Sequence, residues 1–281
     1  MKKLKLFFVF MCFLTVCVLS SSYAETKVCT LGDHEGFYNF FYDENGDLWI
    51  LTSDRLLQYT NDGTLNKIFD NTEQFSIIFY YNSELIGVNR NNQILVYSNG
   101  SWVERAHSAL GDKETCFGAG FTVHDNELVY TIGSDIDYHD VQVRITVVWN
   151  METNDVNEYY NIFSLNGCTW DDERQAYVGL KKYYSNEKSD DDYQWYVVSW
   201  IPGNEPEKLF EVEFTSSSWT YCNHKWYILY NSSSGRSMAR VAEDGTVTPL
   251  PNIPMLSSMT YMSDGRVVGL DNHDVVIYQI Q

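Results

Sequence analysis

An all-β fold is predicted by three features of the sequence: short runs rich in aromatic and β-branched residues, turn residues between them, and the recurrence of this pattern along the chain. The pattern is clearest over residues 37–70, where four such runs are separated by turn signals at residues 43–46, 53–54 and 61–63. Four consecutive antiparallel strands, followed by another similar unit, are typical of one blade of a β-propeller. Six repeats of the first strand predict a six-bladed β-propeller.

Each blade should begin with an innermost strand that ends in a bulky residue just before a turn. Six segments fit this description: residues 37–42, 75–80, 118–123, 165–170, 216–221 and 256–261. Their last residues are Tyr42, Tyr80, Val123, Trp170, Tyr221 and Tyr261, and these recur at intervals of about 40 to 50 residues, near the length of a propeller blade. The residues two positions earlier should share their face: Phe40, Ile78, Phe121, Cys168, Trp219 and Met259. Small residues alternate with them in most repeats, which suits strands crowded around an axis.

The last blade lacks a strand. The segment after Tyr261 has room for strands at residues 265–270 and 274–281 but not for a third one. Residues 25–31 offer the missing strand, because they precede the first innermost strand. We therefore expect the N-terminal strand to pair with the last blade and close the ring, so that no sheet edge stays open between the first and last blades.

Residues 1–24 are predicted to be a signal peptide. A lysine-rich start is followed by an apolar run at residues 6–19 and by small residues before a cleavage point at Ala24. The run is shorter than the roughly 20 residues that span a bilayer, so we expect no membrane insertion. A lipoprotein signal would use Cys17, but Val16 precedes it where Gly or Ala is usual. The propeller should therefore occupy residues 25–281 of a bacterial protein that is secreted, either to the periplasm or outside the cell.

The charge excludes some classes of partner. The chain has 38 acidic and 19 basic residues, a formal net charge of −19, and removal of residues 1–24 makes it more negative still. Such a surface repels nucleic acid and anionic lipid. The charge either keeps an exported monomer soluble or recruits a cationic partner, and we favour the first interpretation.

Four cysteines follow the signal peptide: Cys29, Cys116, Cys168 and Cys222. An even number in an exported chain suggests two disulfides. However, the repeat alignment places three of them at different heights on different innermost strands, and Cys29 on an outer strand. We therefore expect four unpaired thiols.

The first blade resembles the repeats of two-component regulator propellers. The pattern of that family is an Asp, a turn Gly, Leu-Trp, a Thr and a later Tyr, matched here by Asp43, Gly46, Leu48, Trp49, Thr52 and Tyr59. The match covers about 20 residues and is degenerate elsewhere, since residues 264–267 keep the turn without the Trp. The resemblance implies the propeller architecture.

A candidate ligand site is predicted on one face of the ring. In a propeller, the linkers between blades and the turns between second and third strands share a face, and such loops often carry function. The longest loops, residues 134–140 of blade 3 and 185–192 of blade 4, should form one wall of a cleft. We therefore predict ligand contacts from Asp135, Asp137, His139, Asp140, Glu187, Asp190, Asp191 and Asp192. Asp33, His34 and Glu35 beside the closing blade form a second candidate group.

These carboxylates suggest Ca²⁺, but no loop has the spacing of a calcium-binding loop, so solvated acidic turns are the simpler interpretation. No histidine or cysteine spacing predicts zinc. Six-bladed lactonase-type propellers hold a metal in the tunnel with Asp, Glu and Asn, whereas the tunnel-facing positions here offer only Asn39 and Asn166 among Ser, Thr, Gly and hydrophobic residues. We expect no resident metal and identify no catalytic residue.

The predicted function is therefore a secreted binding module that engages a protein or glycan ligand through its loop face. The alternative is a propeller-fold hydrolase or lyase that acts on glycans or lactones. The two differ in their sites, because an enzyme needs convergent carboxylates or a metal in a deep funnel.

Overall fold

The computed structural model describes residues 25–60, 63–71, 73–108, 114–115, 121–138, 141–164, 168–184, 193–212, 218–222, 225–232, 235–250, 258–261, 266–271 and 273–279. Within these ranges the protein is all-β, with no helix. Six antiparallel sheets form the blades of a β-propeller, which confirms the predicted fold class.

The strands follow one plan in each blade, from the innermost to the outermost. The N-terminal strand β1 is Glu25–Thr30. Blade 1 contains β2 (Phe37–Tyr42), β3 (Leu48–Thr52), β4 (Arg55–Tyr59) and β5 (Leu65–Asp70). Blade 2 contains β6 (Phe75–Tyr81), β7 (Glu84–Asn89), β8 (Gln93–Ser98) and β9 (Ser101–His107). Blade 3 contains β10 (Glu114–Thr115), β11 (Phe121–His124), β12 (Glu127–Tyr138), β13 (Val141–Asn150) and β14 (Val156–Tyr160).

The remaining blades have four strands each. Blade 4 contains β15 (Cys168–Asp171), β16 (Ala176–Tyr184), β17 (Tyr193–Trp200) and β18 (Glu207–Val212). Blade 5 contains β19 (Ser218–Cys222), β20 (Lys225–Ser232), β21 (Gly235–Val241) and β22 (Val247–Pro249). Blade 6 contains β23 (Ser258–Tyr261), β24 (Arg266–Asp271), β25 (Asp274–Gln279) and, as its outermost strand, β1.

The predicted innermost strands are confirmed where they are described, and their bulky side chains pack against the preceding blade. Phe40 belongs to a cluster with Val275 of blade 6, and Ile78 to one with Leu51 of blade 1. Trp219 packs with blade 4 in the same way. The repeat is therefore a packing unit, because one column of side chains fills these interfaces between blades.

The hydrogen bonds of Asp43 explain the residue pattern of the first turn of blade 1. One of its carboxylate oxygens accepts the amides of Asn45 and Asp47 at 2.9 and 3.0 Å, and the other accepts Trp49 Nε1 at 2.9 Å. Gly46 has a φ of 80°, which a side chain would disfavour. The Asp, Gly and Trp of the repeat pattern are thus one hydrogen-bonded turn.

The N-terminal strand pairs with the last blade. Register runs antiparallel from Glu25 opposite Tyr278 to Thr30 opposite Asp274, with an irregularity between Lys27 and Cys29. Lys27 also forms an ion pair of 2.8 Å with Asp274, and the Leu31 amide donates to the His273 carbonyl at 2.7 Å. The role of this pairing in closing the ring stays a prediction.

Two of the cysteines are free thiols. Cys29 is half-buried, and burial raises its pKa despite a hydrogen bond with Tyr59. Cys168 is buried among hydrophobic side chains, which also raises its pKa. Both behave as packing residues. Cys116 lies outside the described residues, and the state of the Cys116 and Cys222 thiols stays a prediction that mass spectrometry of alkylated, unreduced protein tests.

The hairpins between second and third strands differ greatly in length. In blade 1 the two strands have five residues each, whereas β12 and β13 have 12 and 10, and β16 and β17 have nine and eight. The sequence prediction of a loop at residues 134–140 is therefore corrected: the chain there continues as strand up to Tyr138 and resumes at Val141. The pairing of β12 with β13 has an irregularity between Gly133 and Asp137 and then resumes, so the backbone forms cross-strand hydrogen bonds further out than a loop does.

Candidate functional site

The face that carries these hairpins is here called the upper face. Its linkers and hairpin turns are joined by backbone hydrogen bonds within a blade: the Ser53 amide donates to the Gly36 carbonyl, and Arg90 to Gln74. Blade 2 is joined to the linker that follows it by a bond from Ser108 to Asn92. In blades 1 and 2 the turns and linkers of the upper face therefore form one layer.

Glu35 lies in the linker before blade 1 and is bound by its own chain. Its carboxylate accepts Arg55 Nε at 2.9 Å and Nη2 at 2.5 Å, Thr52 Oγ1 at 2.6 Å and the Gly32 amide at 3.0 Å. Its side chain is 4% exposed. Burial raises the pKa of Glu35, but the hydrogen bonds from Arg55, Thr52 and Gly32 outweigh it and hold the pKa at about 2. This carboxylate fastens the linker to the hairpin of blade 1.

The structure places the other predicted site residues as follows. Asp33 and His34 are exposed in the linker beside Glu35. Asp135 and Asp137 lie on the outer part of β12, where Asp137 is opposite Gln142. The remaining predicted residues lie outside the described residues: His139, Asp140, Glu187, Asp190, Asp191 and Asp192. Their part in ligand binding stays a prediction.

A second group of side chains lies on the blade 4 hairpin, on the face turned towards blade 3. Lys208 Nζ is 3.9 Å from the ring centre of Tyr183 and 4.1 Å from that of Tyr196. Lys181 Nζ lies 5.0 Å from the Tyr183 ring, and the two tyrosine rings meet edge to face at 5.3 Å. Two ammonium groups and two aromatic rings therefore share one surface.

Blade 3 contributes Arg144 to the same seam. Val129 and Val148 pack against blade 4, and strand alternation puts Thr131, Thr146 and Arg144 on that side too. Burial lowers the pKa of Arg144, and the nearby Tyr184 phenol of blade 4 opposes that shift. This region is here called the blade 3–4 seam: Thr131, Arg144, Thr146, Ser164, Lys181, Tyr183, Tyr196 and Lys208.

The opposite face of the blade 4 hairpin is also aromatic. Lys182 Nζ is 3.7 Å from the ring centre of Tyr193 and 4.6 Å from that of Tyr184. Trp195 stands edge to face with Tyr193 at 6.2 Å. The hairpin therefore presents tyrosine and lysine on both of its sides, in contrast to the acidic chain as a whole.

The sequence prediction missed the cations and tyrosines of this hairpin. A signal was present, because Lys181, Lys182 and Lys208 fall in one blade of a chain with few basic residues. The Lys-Lys-Tyr-Tyr sequence at residues 181–184 also puts one Lys and one Tyr on each face of the end of β16. The prediction instead concentrated on the carboxylates of the turn beyond it.

Asn39, one of the predicted tunnel-facing residues, is bonded to the neighbouring blade. Its side chain is buried, and Nδ2 donates to the Ile78 carbonyl of blade 2 at 2.8 Å. Among the described residues, no three His, Cys, Asp or Glu side chains lie close enough together to hold a metal ion. Asn166 lies outside the described residues.

No protein-family model and no curated protein sequence matches the chain. Solved structures do. XC5397 of Xanthomonas campestris, a gluconolactonase, is 10% identical with a TM-score of 0.62, over 92% of this chain and 90% of that one. A protein described as a candidate gluconolactonase is 9% identical with a TM-score of 0.64, over 92% and 93% of the two chains.

A third similar structure is the extracellular domain of BT4673 from B. thetaiotaomicron, which is described as a hybrid two component system. It is 10% identical with a TM-score of 0.52, over 92% of this chain but 40% of that one. No helix within the described ranges is long and apolar enough to span a bilayer. At these identities the similarity establishes the fold alone: the chain is a six-bladed β-propeller, an architecture that it shares with gluconolactonases and with the extracellular domain of a two-component system.

Proposed function

We propose that the protein is a secreted binding module whose upper face engages a glycan at the hairpins of blades 3 and 4. The observation that carries the proposal is the extension of these two hairpins, with tyrosine rings on both sides of the one in blade 4. Sugar rings stack on aromatic side chains through their C–H faces, and tyrosine hydroxyls supply hydrogen bonds beside that contact.

Three further features support this proposal. The N-terminal pattern at residues 1–24 favours export, and a similar propeller is an extracellular domain. The extended hairpins stand beside each other, so a ligand longer than one sugar has a continuous surface to contact. The predicted acidic residues at the hairpin ends, such as Asp137, belong to the rim of the same surface in this proposal.

The experiment uses residues 25–281 and a panel of oligosaccharides. We expect at least one class to raise the melting temperature and to change tyrosine or tryptophan fluorescence with saturation. Tyr183→Ala and Tyr193→Ala should weaken that binding, whereas Tyr160→Ala, on the exposed outer strand of blade 3, should not. If no saccharide binds and a protein partner is captured on the same tyrosines, the glycan is the wrong ligand class.

A lactonase is the second candidate function, because the match to two gluconolactonase folds spans nearly the whole of each chain. The test is hydrolysis of glucono-lactone by the purified protein, with and without added divalent cations. Our proposal expects no acceleration over buffer containing the same cations. Saturable turnover that scales with protein concentration would favour the lactonase instead.

A further inference from the structure

The blade 3–4 seam concentrates positive charge in a strongly acidic protein. Arg144, Lys181 and Lys208 come from three strands of two blades and lie on facing sides of one interface. Two carboxylates lie beside these residues: Glu205 acts on the charge of Lys181, and Glu211 Oε2 accepts a hydrogen bond from the Tyr196 hydroxyl at 3.3 Å. In a chain with a net charge of −19, this group of cations is still a local departure from the acidic surface, which a site that selects an anion needs.

The ammonium groups of the seam are held by rings rather than by carboxylates. Among the ion pairs of the described part of the chain, none contains Lys181 or Lys208. Both lie over Tyr183, and Lys208 also over Tyr196. Burial lowers the pKa of Lys181; Glu205 opposes this shift and Lys208 adds to it. An incoming anion would relieve the cost of keeping the charged form of Lys181 half-buried.

Buried hydroxyls line the same seam without hydrogen-bond partners. Thr131 and Thr146 lie opposite each other on β12 and β13 and are 1% and 0% exposed. Neither Oγ1 has a partner, and the same is true of Ser164 Oγ in the linker before blade 4. Thr146 is two residues from Arg144 on the same face of the strand. Buried polar atoms are nearly always satisfied in folded proteins, so these hydroxyls favour a bound polar molecule here.

We propose that the blade 3–4 seam binds an anionic saccharide, a sugar whose carboxylate lies between Lys181 and Lys208. The inference rests on the proposed function and names the ligand class. The two ammonium groups offer point charges to a carboxylate. As the ammonium of Lys208 turns to the anion, it leaves the faces of Tyr183 and Tyr196 to the sugar ring. The threonine hydroxyls supply hydrogen bonds at the inner end.

The test measures binding by calorimetry with three sets of oligosaccharides: uronate-containing, sulfated and neutral. We expect uronate oligosaccharides to bind most tightly. Lys208→Gln and Lys181→Gln should each weaken that binding about tenfold, which corresponds to about 1.4 kcal/mol. Lys67→Gln removes the same charge from the exposed outer strand of blade 1 and should change the affinity less than twofold.

The outcomes distinguish failure of the inference from failure of the proposed function on which it rests. If uronates bind and both lysine variants keep the affinity, the seam is not the site, although the module still binds glycans. If neutral sugars bind and anionic ones do not, the ligand class is wrong and the function stands. If sulfated sugars bind and uronates do not, the anion is a sulfate. If no sugar of any class binds, both proposals fall.

Discussion

The region where β1 and the linker after it meet blades 6 and 1, here called the first seam, and the blade 3–4 seam use charge differently. At the first seam, Glu35 and Arg55 form a bidentate ion pair between the linker and blade 1, and Lys27 and Asp274 form a single ion pair within blade 6. At the second, Lys181 and Lys208 lie over tyrosine rings. The first seam joins the chain's first strand to its last blade, so it needs contacts that are satisfied within the protein. The second is joined by a continuous chain, and in our proposal its lysines bind a ligand.

Hairpin length follows the same division. Blade 1 turns at Ser53 and Asp54 directly above the packed layer, where Ser53 Oγ accepts the Gly36 amide and Thr52 Oγ1 donates to Glu35. Blades 3 and 4 continue as paired strands beyond the layer. A hairpin that only connected two strands would need a short turn, so the extension is where function is expected.

Among the changes that test this comparison, removal of β1 should have the largest effect on stability. Deletion of Glu25–Thr30 takes away the outermost strand of blade 6 together with the Lys27 ion pair. We expect the free energy of unfolding to fall by several kcal/mol, a large part of a typical total of about 5 to 15. Urea unfolding of the purified deletion variant measures it, and the exposed edge of β25 should also promote association.

A synthetic peptide of residues 25–31 provides the control for this deletion. Added in excess, it should pair with β25 and restore much of the lost melting temperature. A truncated protein that melts like the full propeller and stays monomeric would show that β1 does not close the ring.

Glu35→Gln should have the next largest effect, a loss of about 2 to 3 kcal/mol, because it removes a nearly buried charge from a bidentate pair with a partly exposed arginine. Glu84→Gln is the matched control, since the Glu84 side chain is 48% exposed and its pair with Arg105 should contribute less than about 1 kcal/mol. Equal losses in the two variants would contradict a special role for the first seam.

The same residue gives a pH dependence of known sign. Folding lowers the pKa of Glu35 to about 2 from an ordinary value of 4.5, so its contribution is present above pH 4.5 and lost as the pH falls towards 2. Wild-type protein should therefore lose stability over this interval more steeply than Glu35→Gln. If the melting temperatures of the two proteins fell by the same amount from pH 5 to pH 2.5, the pair would not stabilise the fold.

The sequence was sufficient to predict the propeller ring because the blades repeat a similar local pattern of turn and strand residues. Asp43, Gly46 and Trp49 specify a turn within seven residues, and the bulky residue at Tyr42 marks the end of an innermost strand. The candidate site, in contrast, depends on which faces of the blade 3 and blade 4 hairpins point towards each other. Arg144 and Lys181 are far apart in the chain, and no local pattern shows that their strands extend beyond the layer and meet. Glu35 was predicted as a ligand group, whereas its contacts with Arg55 depend on where the linker crosses the hairpin.

Calcium at the hairpin ends would sharpen the comparison by adding a second kind of site to the upper face. If the predicted carboxylates bind Ca²⁺, the wild-type protein should gain about 1.4 kcal/mol at a free calcium concentration ten times the Kd. Replacement of Asp137, Asp140, Asp190 and Asp191 with Asn should abolish this gain and leave the calcium-free melting temperature near that of wild type. A wild-type protein with no calcium-dependent shift, or a variant that keeps the whole shift, would leave these residues as solvated turns.

Lys181→Met should have the smallest effect on stability and gives the sharpest contrast with Glu35→Gln. Methionine keeps the length of the side chain on Tyr183 and removes a half-buried charge whose pKa burial already lowers. The lost cation–π contact and the relieved desolvation oppose each other, so the free energy of unfolding should change by less than about 1 kcal/mol in either direction. Urea unfolding of the ligand-free variant measures this. A loss as large as that of Glu35→Gln would mean that Lys181 holds the blades together, and the cations of the blade 3–4 seam would then be structural, as the ion pairs of the first seam are.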